Sequence, residues 1–208
     1  MRAYIACLAS YNAGRLHGEW VDVSTDPDEN AANIARVLRS SPYPNVTLTD
    51  PDTGETYASA EEYAVHDYDG PRSLSVMLGE YPSAQRLADA ARLLEEIDAR
   101  SGSGCDEPLA HAILEAMLDD GPPADLGALA DGADDWISDH LAGVAESLED
   151  WCADFMEETG GLEGIPEALR GYFDFKAYAR DMVAGGDVFT VSMDGFSTSG
   201  GVAVFWNR

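Results

Sequence analysis

The residues of this chain whose types could do chemistry are carboxylates and four histidines. Asp50, Asp52 and Glu61, with Gly54 among them, partly follow a calcium loop, in which oxygen ligands surround a sharp glycine turn. The glycine stands one place early and Pro51 and Ala58 fit that loop poorly, so the segment reads as an acidic turn. His66 followed by Asp67 has the makings of a general base and its orienter, but neighbours on a strand point to opposite faces, which favours an ordinary sheet position. His17, His66, His111 and His140 show no metal-binding spacing. Cys7, Cys105 and Cys152 are odd in number and lack C-x-x-C spacing, which argues against a disulfide framework or zinc site and for a reduced, cytoplasmic setting. No P-loop, G-x-G-x-x-G or G-x-S-x-G motif is present. The expectation is a chain with no catalytic residues, no cofactor and no bound metal.

What remains is charge. The 208 residues carry 12 Lys and Arg against 39 Asp and Glu, a formal charge of -27. Nucleic-acid binding depends on Lys and Arg displacing condensed counterions, so neither a nucleic acid nor an anionic membrane is a plausible direct partner. With 45% apolar residues and 19 aromatic ones the chain still has the material for a core, unlike a disordered acidic tail. Ser101 to Leu169 holds eighteen carboxylates and no Lys or Arg. Carboxylate pairs are too abundant to single out an acid and base of glycosidase type. Rows of them at helical spacing lie ~5–6 Å apart, on the scale of a phosphate backbone. The candidate rows are Glu146, Glu149, Asp150, Asp154, Glu157 and Glu158; then Asp134, Asp135 and Asp139 with Asp119, Asp120 and Asp131; then Asp89, Glu95, Glu96 and Asp98. Duplex DNA carries one charge per ~1.7 Å of its axis, so this net charge matches about 46 Å of duplex. Charge alone leaves this imitation of DNA level with an ordinary salt-adapted acidic protein. A metal-dependent hydrolase using clustered carboxylates and His66 is a third reading.

The elements that must position these residues follow from local signals. Strands are expected over Arg2 to Ala9, Glu19 to Val23 and Glu62 to Tyr68. Asp26, Pro27 and Glu29 open a helix that ends near Ser40. Ser83 starts a helix with an inner stripe of Leu87, Ala90, Ala91, Leu94 and Ile97. A second runs from about Glu107 to Leu118, and Asp134 to Leu141 is also helical. Ser147 to Asp150 forms a capping box for a helix reaching Thr159, with Leu148, Trp151, Cys152, Phe155 and Met156 inward. A last helix within Tyr172 to Val183 precedes strands Asp187 to Met193 and Val202 to Trp206. The fold class is α+β, with small antiparallel sheets at both ends of a helical middle. No run approaches the apolar length of a membrane-spanning helix.

Four stretches carry more than composition. Residues 3–22 (AYIACLASYNAGRLHGEWVD), 61–69 (EEYAVHDYD), 149–151 (EDW) leading into 157–160 (EETG), and 172–181 (YFDFKAYARD) together resemble the antirestriction protein ArdA family, in order and spacing, over nearly the whole chain. That resemblance implies an acidic, non-enzymatic protein of mobile genetic elements that mimics bent B-form DNA and occupies the DNA-binding cleft of type I restriction-modification enzymes. It also implies three small domains, here 1–72, 73–140 and 141–208, and an elongated homodimer formed through the C-terminal part. Against typical members the chain is longer, with extra residues around 42–60 and 101–131. Tyr4, Trp20, Tyr63, Tyr172, Phe173 and Tyr178 are expected in the core. The contact residues are expected among the dispersed carboxylates.

Overall fold

The computed structural model describes residues 1–101, 107–118, 125–193 and 200–208. They form two compact units, Met1–Glu95 with Pro122–Asp131, and Glu96–Gly121 with Gly132–Arg208.

The first unit begins with β1 (Arg2–Cys7), whose alternation of apolar residues buries Ala3, Ile5 and Cys7. The apolar run then turns into a short helix, α1 (Leu8–Asn12), where a longer strand was expected. β2 (Gly18–Asp22) returns antiparallel to β1. In α2 (Pro27–Arg39), Asp26 caps the N-terminus by accepting the Asp28 N–H at 2.9 Å. Arg36 and Arg39 sit in its last turn, where cations complement the helix dipole. Buried Asn30 anchors this helix: its amide donates to the Ser24 carbonyl at 2.8 Å and to that of Ala84 at 3.3 Å, and accepts the Ser24 N–H at 2.9 Å.

A hairpin absent from the expectations follows, β3 (Val46–Thr49) and β4 (Thr56–Ser59), within the 42–60 stretch. Its turn is tied by the Asp50 carboxylate, which accepts the N–H groups of Asp52 and Thr53, the geometry of an acidic turn. Those two N–H groups hold the Asp50 carboxyl below its ordinary pKa. β5 (Tyr63–Asp69) completes the sheet in the order β2-β1-β5. α3 (Arg72–Leu78) is a further element that the local signals do not announce. α4 (Ala84–Ser101), whose residues from Glu96 on belong to the second unit, starts where the Ser83 hydroxyl accepts the Arg86 N–H.

In the second unit, α5 (Glu107–Met117) lies against the sheet strands β7 (Val188–Ser192) and β8 (Val202–Trp206). α6 (Leu126–His140), whose residues up to Asp131 belong to the first unit, begins eight residues before the expected start, with the Asp125 carboxylate accepting the N–H groups of Gly127 and Ala128. It runs directly into β6 (Leu141–Ala145), a strand hidden from sequence reading because Leu-Ala-Gly-Val-Ala has no strand signature and no breaker precedes it. α7 (Leu148–Glu158), α8 (Glu167–Arg170) and α9 (Phe175–Gly185) lie between β6 and β7. The three strands order as β6-β8-β7, antiparallel. Central β8 is apolar throughout because both its faces are covered. Val204 faces a core of Trp151, Cys152, Ala179, Met182 and Val188, whereas Phe205 meets Phe189 and Trp136. Both units are α+β.

The aromatic residues expected in the core are not fully buried. Tyr4, Tyr63, Phe173 and Tyr178 are half-buried, Trp20 is 40% exposed and Tyr172 is 85% exposed. Trp20 stands on an edge strand, where Tyr4 meets it edge-on and the Arg2 guanidinium covers its face. Among the described residues the buried aromatic ones are Trp151 and Phe205.

Candidate acidic interface

α7 is positioned by its apolar side. Trp151 stacks on Phe155 at 5.0 Å, both rings meet Trp206 at 5.5 Å, and the Cys152 thiol lies 3.9 Å from the Met182 sulfur. Burial pushes the Cys152 thiol above its ordinary pKa, so it is an inert core group. Gly143, at a bulge in β6 with φ +155°, lets the indole approach: a Cβ there would lie 3.0 Å from Trp151 Nε1. At the N-terminus the Ser147 hydroxyl accepts the Asp150 N–H at 3.1 Å and donates to the Asp150 carboxylate at 2.5 Å. The expected capping box is therefore half formed, its return bond going to the serine hydroxyl. At the C-terminus Gly160, with φ +70°, and Gly161 close a Schellman motif, with N–H bonds to the carbonyls of Glu157 and Met156.

With its inner face fixed in this way, α7 turns Glu149, Asp150, Asp154, Glu157 and Glu158 outward, and Glu146 stands just before it. No described Lys or Arg forms an ion pair with any of the six. Five of these carboxylates ride on the eleven residues of the helix. At a rise of ~1.5 Å per residue they stand one per roughly 3.3 Å of axis, against roughly 3.4 Å per charge for one strand of DNA. The row works against the helix. Asp150 with Asp154, and Asp154 with Glu158, are like charges at i, i+4, and Glu157 and Glu158 lie at the negative end of the dipole with no basic residue in the last turn.

α6 differs. Asp135 and Asp139 lie on its outer side, but Asp134 is held by a fork from Arg100, whose Nη2 donates to its Oδ2 at 2.6 Å while Nε donates to Oδ1. The hydrogen bond and charge of Arg100 lower the Asp134 pKa, and the same contacts raise that of Arg100, with Asp135 and Glu96 adding to the effect. In the first unit, Asp89 accepts from Gln85 and from Arg92, which also pairs with Asp131. Glu95 of this unit and Glu96 and Asp98 of the second line the outer side of α4. Asp119 and Asp120 lie outside the described residues. Arg92 and Arg100 are functional candidates that motif reading passes over; the signal for them is that Arg86, Arg92 and Arg100 are the three bases between residues 73 and 169. Arg86 donates to the Met77 carbonyl, so each has a partner within the chain.

The other chemical candidates do not assemble. His66 is the extra residue where the β1–β5 register shifts, its ring edge-on to Tyr11. The Asp67 carboxylate instead accepts the Tyr68 N–H, so the two do not form a catalytic pair. Among the described residues no three His, Cys, Asp or Glu gather to hold a metal ion, and no helix is long and apolar enough to cross a membrane.

The fold and surface define a class: an α+β protein whose apolar cores leave rows of carboxylates facing outward. The chain matches the family described as antirestriction protein (ArdA) over residues 3–197, and it belongs to that family. It is thus an antirestriction protein, of a family that inhibits restriction-modification. A comparison with curated proteins finds no match.

Proposed function

We propose that this protein blocks restriction as a non-enzymatic mimic of DNA, occupying the DNA-binding cleft of a type I restriction-modification enzyme as a homodimer. The observation that carries the reading is the α7 row, five carboxylates with no described ion-pair partner at the axial density of one DNA strand. The Lys and Arg that receive phosphates in such a cleft would receive these carboxylates instead, and counterions released from both surfaces would drive association. Glu146 extends the row, and Asp135, Asp139, Glu95, Glu96 and Asp98 contribute to the surrounding field. The test is titration against a type I methyltransferase core over a range of salt. Affinity falling steeply as salt rises is the expected result; salt-indifferent binding would contradict the mimic, and absence of binding to any such core would contradict the target.

A further inference from the structure

We infer that Arg92 and Arg100 are in-chain stand-ins for a partner's guanidinium groups, which withhold Asp131 and Asp134 from the interface and make α6 a weaker contact than α7. This rests on the DNA-mimic reading and deepens it. Asp131, Asp134, Asp135 and Asp139, at i, i+3, i+4 and i+8, share one side of α6. Two of the four already have an arginine. Arg100 grips Asp134 in the forked geometry with which an arginine takes a carboxylate or phosphate, and its charge also reaches Asp135 and Glu96. Arg92 joins Asp131 to Asp89. The two α6 pairs are not buried structural bridges: Asp131 is 68% exposed and Asp134 44% exposed at the side chain, whereas Asp89, on the other side of Arg92, is 13% exposed. Exposed pairs contribute little to stability, so both carboxylates sit where a partner could reach them yet are already satisfied. No described arginine does the same for α7. The pattern sets which carboxylates a cationic cleft engages: α7 first, then Asp135 and Asp139, with Asp131 and Asp134 withheld.

The full-length protein tests this in two ways. Against a type I methyltransferase core, Arg92→Gln with Arg100→Gln should bind about 2- to 30-fold tighter, the scale of two exposed ion pairs, with a steeper salt dependence. Asp134→Asn should leave the affinity unchanged, whereas Asp135→Asn weakens it. Equal losses from these two aspartate variants, or weaker binding by the arginine variant with its melting temperature intact, would overturn the inference. A second arm needs no enzyme. During titration with a short oligo-arginine peptide, the Asp134 carboxylate carbon signal should stay still in the unmodified chain and move like that of Asp135 once Arg100 is Gln. Movement of Asp134 in the unmodified chain would overturn the masking. Failure of the unmodified chain to bind any methyltransferase core would count against the proposed function, and the peptide arm would still decide the masking.

Discussion

Asn30 and Gly143 carry structural weight out of proportion to their size, because each solves a problem that no neighbour can. The Asn30 amide answers three backbone groups, joining the chain just after β2 at Ser24 to the entry of α4 at Ala84. Asn30→Ala leaves those groups without their partner in a buried place and should cost about 1–3 kcal/mol, read as a lower midpoint in denaturant with an unchanged slope. At Gly143 the positive φ strains any side chain, and a Cβ would lie 3.0 Å from the Trp151 ring, which would have to give way. Gly143→Ala should destabilise the second unit by about 1–3 kcal/mol and shift the indole fluorescence, since the backbone is strained and the ring must move away from β6. The Asp134–Arg100 pair has a pH signature. Because the folded Asp134 pKa is depressed, its contribution is present above the unfolded value of 3.8 and is lost as pH falls below it. Asp134→Asn should therefore change stability near neutral pH and leave it unchanged in acid.

α7 carries an electrostatic cost in its own fold. Its first turn is favourable, with Glu149 and Asp150 at the positive end of the dipole, but Asp154, Glu157 and Glu158 repel one another and oppose the negative end. Replacing these three with Asn, Gln and Gln should stabilise the protein by about 1–2 kcal/mol and raise the melting temperature by a few degrees. That penalty is what the proposed mimicry would ask of the helix. The outward direction of this row is legible from period 3.6, since Trp151, Cys152 and Phe155 fix the opposite face. The caps of α2 and α7, the sheet strands around Tyr4 and Phe205, and the α+β class are legible for the same local reasons. β6 is not, because Leu141–Ala145 becomes a strand only by pairing with β8, far along the chain. Nor is the pairing of Asp134 and Asp89, which depends on arginines arriving from other turns and other helices. Tyr172 and Trp20 lie outside the core that aromatic residues ordinarily join, because an interhelical turn and an edge strand leave one side of each open.

At the scale of the molecule, -27 charges on 208 residues are a permanent internal stress. Self-repulsion among charges that outnumber the bases should make thermal stability rise with ionic strength between low and physiological salt and then level off. Folding that demands molar salt would point instead to an acidic surface adapted to a saline interior. The charge is also unevenly used: α7 has no described arginine partner, while α6 and α4 share Arg92 and Arg100. Under the proposed mimicry, position rather than total charge therefore sets the interface. The most direct test is the salt dependence of binding to a type I methyltransferase core, compared between the unmodified protein and the Asp154→Asn, Glu157→Gln, Glu158→Gln variant. If α7 stands in for a DNA strand, the variant binds more weakly with a shallower slope of log affinity against log salt, even though it melts at a higher temperature. An unchanged slope and affinity in that more stable variant would show that α7 is not the surface that meets the enzyme.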